Sequence, residues 1–164
     1  MKHTISVLVE NEFGVLSRVA GLFSGRGFNI ESLSVAPALD PTISRMTIVT
    51  SGDDQVLEQI TKQLNKLIDT IKIIDFTGQD FIEREVGMIK VTAEEGTRAE
   101  VLRIVDIFRA KVVDVTPRSY TIEVTGSPSK IDAVVELLRP MGIKELVRSG
   151  PVVLGRGPKG WRNS

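Results

Sequence analysis

Apolar and polar residues alternate along this chain at two different spacings, and each change of spacing marks an element boundary. In TISVLV, Thr4 to Val9, the apolar residues Ile5, Val7 and Val9 fall on every second position. That is the period of a strand with one covered face. From Val15 the apolar positions are 15, 16, 19, 20, 22 and 23, which predicts a helix with one buried side. FNIESLSVA (28–36) and RMTIVTS (45–51) predict two more strands, joined by the turn formers of PALDPT. Asp53 or Asp54 caps a second helix that carries Val56, Leu57, Ile60, Leu64 and Leu67 on one face. IKIIDF (71–76) supplies a fourth strand.

The same order then returns. REVGMIKVTA (84–93) is strand-like, and Thr97 begins a helix with Val101, Leu102, Ile104, Val105 and Phe108 as its apolar positions. KVVDVT and SYTIEVT flank Pro117-Arg118 as a tight hairpin. Ser127 and Pro128 suit a helix cap and the first helical position. Ile131, Val134, Val135 and Leu138 line that helix, which must stop near Pro140 before IKELV (143–147). The fold class expected is α+β, with two ferredoxin-like βαββαβ domains at 1–77 and 78–164 divided near Gly78. Each antiparallel sheet of that type keeps an open face and exposed edges. Pairing with a second copy protects such edges, so a homodimer is expected.

Composition narrows the function. The 164 residues are 41% hydrophobic and 26% charged, as in ordinary globular proteins. No apolar run approaches the roughly 20 residues that cross a bilayer. The opening MKHTISVLVENE lacks the apolar core of a signal peptide, so a cytoplasmic protein without membrane association is expected. With no cysteine there is no disulfide framework and no thiolate nucleophile. The 21 basic and 21 acidic residues balance, so no global field draws in nucleic acid. Arg156, Lys159 and Arg162 make the C-terminal tail basic, and that tail reads as a flexible end.

Catalytic equipment is missing from the pattern. His3 is a lone histidine ahead of the first strand and reads as a surface residue. Asp53-Asp54 and Glu94-Glu95 precede helices, where caps and dipole partners belong, so no catalytic residue and no metal ligand is assigned. RNA-recognition modules share the βαββαβ order, but they need aromatics on the middle strands. IESLSV, MTIVTS and VLVEN have none, so no nucleic-acid partner is expected.

Glycine marks one helix at both ends. Gly25 and Gly27 follow the first helix, where free carbonyls repel phosphate, so one of them serves as a left-handed C-cap. Gly14 stands at the other end, in NEFGV, where backbone N–H groups lack helical partners. A carboxylate docked there gains about 0.3–1 kcal/mol from the dipole, and up to about 2 when partly buried. Asn11 beside it offers a donor and an acceptor. An Asn-capped tight turn explains the same spacing without any ligand.

ENEFGVLSRVAGLFSGRGFNIESLSVAP, with DPTISRMTIVTSGDD, resembles the ACT domain of the regulatory (small) subunit of acetohydroxyacid synthase, also called acetolactate synthase. FIEREVGMIKV, IVDIFRAKVVDVTPRSYTIEVTG and ELVRSG extend the resemblance through the second half. Phe13 departs from the family pattern, which often has a small residue or proline there. The resemblance implies a non-catalytic subunit that activates a separate catalytic subunit and confers feedback inhibition by valine or another branched-chain amino acid. It implies an effector site at an ACT dimer interface. Asn11, Gly14, Val15 and Leu16 would come from one copy, and Asn29 and Ile30 from the other. Thiamine diphosphate, Mg²⁺ and FAD would sit on the catalytic subunit, with no cofactor in this chain. A stand-alone amino-acid sensor serving another partner is the alternative.

Overall fold

The changes of period become strands and helices close to the expected boundaries. The computed structural model describes residues 1–161; Arg162, counted above with the basic tail, lies outside the described residues. The first series is β1 (Lys2–Glu10), α1 (Val15–Gly25), β2 (Ile30–Pro37), β3 (Ile43–Ser51), α2 (Asp54–Lys66) and β4 (Thr70–Asp75). The second is β5 (Phe81–Thr92), α3 (Arg98–Ile107), β6 (Lys111–Val115), β7 (Ser119–Gly126), α4 (Pro128–Leu138) and β8 (Ile143–Arg148). A short strand, β9 (Val152–Gly155), follows.

Strand order is β2-β3-β1-β4 in one sheet and β6-β7-β5-β8 in the other, with β9 paired to β5. The pairings within both four-strand paths are antiparallel, so both series form the expected ferredoxin-like, ACT-type βαββαβ fold. The chain divides into two compact units. Unit 1 comprises Met1–Ile82 with the chain from Val153 onward, and unit 2 is Glu83–Val152.

Each unit has its own core. In unit 1, Ile5, Val7 and Val9 of β1 meet Val15, Val19 and Phe23 of α1 and Leu57, Ile60 and Leu64 of α2. The spacing of four residues along α1 puts its three core residues on one stripe. In unit 2, Ile89, Val91 and Ile122 meet Val101, Ile104 and Val105 of α3 and Ile131, Val134, Val135 and Leu138 of α4. Caps form where the sequence offers them. Asp53 accepts from the Val56 amide, and Ser127 accepts from the Lys130 amide with Pro128 beside it. Gly27, at φ 74°, makes the left-handed turn after α1, while Gly25 remains helical.

Three expectations change. His3 is buried: Gly52 O accepts from Nε2 at 3.0 Å, and Nδ1 lies 3.1 Å from Thr77 Oγ1. A carbonyl can only accept, so Nε2 carries a proton, and in the neutral ring the Thr77 hydroxyl donates to Nδ1. Alternation hid this because His3 occupies the inward position of β1 together with Ile5 and Val7. Glu94 and Glu95 lie ahead of the α3 cap, Thr97, and the acid in the first turn is Glu100.

The tail is the third change. Register places Ser6 opposite Thr47, Leu8 opposite Arg45 and Leu8 also opposite Lys72, all on the sheet face turned away from α1 and α2. Arg45 Nη2 donates to Val153 O at 3.0 Å, and Val153 is buried. The Trp161 ring lies 4.9 Å from the Arg45 guanidinium carbon and 5.4 Å from Lys72 Nζ, a double cation–π contact. Arg156 reaches Asp80 at 3.0 Å. The segment from Val153 to Trp161 therefore lies on the first sheet, although it follows the second domain in sequence. A four-residue strand set among glycines and prolines carries too little pattern to be seen beforehand.

Candidate functional site

The turn from β1 into α1 is held from its flanks and left bare at its centre. Asn11 N donates to Thr42 O at 2.8 Å, and Asn11 Nδ2 donates to Pro41 O at 3.0 Å. Asp40 Oδ1 in turn accepts from Thr42 N and Thr42 Oγ1, at 2.9 and 2.7 Å, which fixes the loop that Asn11 leans on. Thr42 bonding through both groups holds the Asp40 carboxyl below its ordinary range. Asn11 is thus a fastener of the turn, and it is exposed.

Gly14 is the N-cap of α1, at φ 80°, with no side-chain cap bond. A left-handed backbone of this kind favours glycine. The first turn of α1 holds no acid and its cap has no side chain, whereas Asp53 caps α2 with Asp54 in the first turn, and Ser127 caps α4. Amide N–H groups at the α1 tip therefore face outward at the positive end of the helix dipole, without a carboxylate of their own. Val15 is a buried core side chain and presents only its backbone. Leu16 is 46% exposed, and Phe13 stands free in solvent next to it.

Asn29 and Ile30 lie at the other end of α1. Asn29 is exposed, and its carbonyl accepts from Thr50 Oγ1 at 2.8 Å. Ile30 packs against the core at the start of β2. An eleven-residue helix separates the two groups by about 16 Å. One chain brings Asn11, Gly14, Val15 and Leu16 together and keeps Asn29 and Ile30 apart from them.

Arg18 was not singled out in the sequence. Its Nε and Nη2 donate to Asp69 Oδ2 at 3.0 and 2.7 Å, and Asp69 O accepts from Glu10 N at 2.9 Å. The pair joins α1 to the turn before β4 and to the end of β1. Its trace in the sequence is a lone cation in VLSRVAGLFSG; Asp69 gives no local sign, because the two lie 51 positions apart.

A cavity of about 490 Å³ opens elsewhere, lined by Arg26, Gln59, Lys62, Gln63, Asn65 and Lys66. Arg26 and Lys66 stand at the C-terminal ends of α1 and α2, where cations offset the negative dipole end. None of the expected effector residues lines it. Among the described residues no cluster of three or more His, Cys, Asp or Glu side chains is placed to hold a metal ion, and no helix is long and apolar enough to cross a membrane.

Two family profiles cover most of the chain. An "AHAS small subunit-like ACT domain" matches residues 5–72, and "Small subunit of acetolactate synthase" matches residues 84–157. A probable acetolactate synthase small subunit of Methanothermobacter thermautotrophicus is 55% identical over 158 residues, 96% of this chain and 94% of that one. The acetolactate synthase small subunit of Aquifex aeolicus is 56% identical over 156 residues, 94% of this chain and 81% of that one. The crystal structure of the acetolactate synthase small subunit from Thermotoga maritima superposes with a TM-score of 0.88 at 38% identity, covering 97% and 99% of the two chains.

Proposed function

The chain belongs to the acetolactate synthase small-subunit family, and on that premise we propose that it is the regulatory partner of a catalytic acetolactate synthase subunit, which it activates and places under feedback control by a branched-chain amino acid, valine first. The supporting observation is the bare, glycine-capped tip of α1, in the domain that matches the family's ACT profile. A zwitterionic amino acid suits it. The amide N–H groups after Gly14 donate to a carboxylate, and an asparagine carbonyl accepts from an ammonium.

The second half of the site comes from another copy. β2 is an edge strand. Pairing two β2 edges antiparallel about a two-fold axis sets the Ile30 end of one against the Pro37 end of the other. Pro37 lies in line with Ser44 and Val9, two residues short of Asn11. The dimer thus supplies Asn29 and Ile30 to the Asn11–Leu16 turn. A ligand in this seam senses how the two copies sit. About 1–3 kcal/mol of differential binding changes the partner's activity roughly 5- to 150-fold. Catalysis, with thiamine diphosphate, Mg²⁺ and FAD, stays on the partner.

Calorimetry with valine, followed by a reconstituted synthase assay, tests the reading. A small amino acid with one buried branched side chain should bind with a Kd of about 10 µM to 0.2 mM. The catalytic subunit should gain activity on mixing and lose it again with valine. Valine binding without any effect on the synthase would instead favour the stand-alone sensor.

A further inference from the structure

We infer that Arg18, anchored by Asp69, is a specificity-determining residue of the effector site, and that its guanidinium reads the carboxylate of the amino acid docked on the Gly14 turn. The inference rests on the effector reading above and adds a residue to it.

Arg18 is the fourth residue of α1, and a long helical side chain lies back over the preceding turn. A Cβ built on Gly14 would sit 3.0 Å from Arg18 Nη1, so the guanidinium lies directly against the Gly14 Cα. Asp69 engages Nε and Nη2 through one carboxylate oxygen, which turns Nη1 toward Gly14. The anchor is firm, since Asp69 is only 7% exposed and its carbonyl is bonded to Glu10 N. The Arg18 side chain itself is about half exposed, so it can meet a ligand.

A cation at the positive end of a helix is unfavourable unless an anion stands near. Asp69 supplies one carboxylate, and the first turn of α1 adds none. An incoming carboxylate would meet the amides following Gly14 and the Nη1 hydrogens together. Gly14 then has a second reason to lack a side chain, because any side chain there would stand between ligand and guanidinium.

The test compares L-valine with L-valinamide, which lacks the carboxylate, by calorimetry on the full chain with both amines protonated. Wild type should prefer valine strongly. Arg18→Gln should weaken valine by about tenfold or more while leaving valinamide nearly unchanged, so the preference collapses. Asp69→Asn, which frees the guanidinium, should weaken valine by a smaller factor in the same selective way. A purely structural pair would lose both ligands equally, and that result, or unchanged valine affinity in Arg18→Gln, overturns the inference while the effector site stands. If wild type binds no branched-chain amino acid, both readings fall.

Discussion

The tips of α1 and α3 occupy the same place in two copies of one plan and differ in what they leave exposed. α1 begins at a glycine with φ 80°, without a side-chain cap and without an acid in its first turn. α3 begins at Thr97, at φ −123°, and Glu100 fills its first turn and pairs with Arg103. Neither cap residue makes a side-chain cap bond, and the acid near the α1 tip, Asp69, comes from a distant turn, whereas that of α3 lies in its own first turn. Duplicating a fold does not duplicate its helix ends; here the two differ by a glycine cap and a first-turn glutamate.

The open sheet faces differ as well. In unit 1, Leu8 and Thr47 are each 4% exposed beneath the segment that ends at Trp161. In unit 2, Met88 and Val147 face each other across β5 and β8, at 46% and 49% exposed, beside the Lys90–Glu145 pair. The same strand order therefore yields one sheet whose outer face is covered at its centre and one whose outer face is exposed at Met88 and Val147.

The largest expected effect separates the units energetically. Arg148 donates to both oxygens of buried Glu85, at 2.8 and 2.9 Å, and also reaches Asp132. Arg148→Met strands that carboxylate and should remove about 3–5 kcal/mol. Trp161 is the sole tryptophan and belongs to unit 1. In urea, the circular-dichroism transition should move while Trp161 fluorescence lags behind it. If the two move together, the units unfold as one.

Next comes the contrast between helix tips. Gly14→Ala forces an L side chain into the left-handed region against Arg18 and should lose about 1–2 kcal/mol along with most valine affinity. Gly96→Ala, before α3, meets nothing within 4 Å and should stay within about 0.5 kcal/mol of wild type in thermal unfolding. Equal losses would erase the distinction. Trp161→Ala should lower the stability of unit 1 by about 1 kcal/mol, and acrylamide should quench native Trp161 poorly compared with the unfolded chain.

The smallest effect is one of pH. The Ser51 hydroxyl bonding to Glu31, with Lys2 nearby, holds that carboxyl below the usual glutamate range. A lowered folded pKa gives stability that is present above the unfolded value and lost as pH falls through the folded one. Wild type should exceed Glu31→Gln by under about 1 kcal/mol at neutral pH, and the margin should vanish in acid. A margin that persists in acid would assign it to packing instead.

Period and turn chemistry were enough to place twelve of the elements, because each buries one stripe or one face and the spacing of its apolar residues records which. Caps such as Asp53 and Ser127 were equally legible, since their bonds close within three residues. Gly14 stood out for the same reason: the need for a positive φ is local. What folding alone decided was every contact between distant positions. Arg18 met Asp69, His3 met Gly52 and Thr77, and Trp161 settled between Arg45 and Lys72. Such partners leave no periodic trace, because they are chosen by where strands cross in space and by which sheet face still needs a cover.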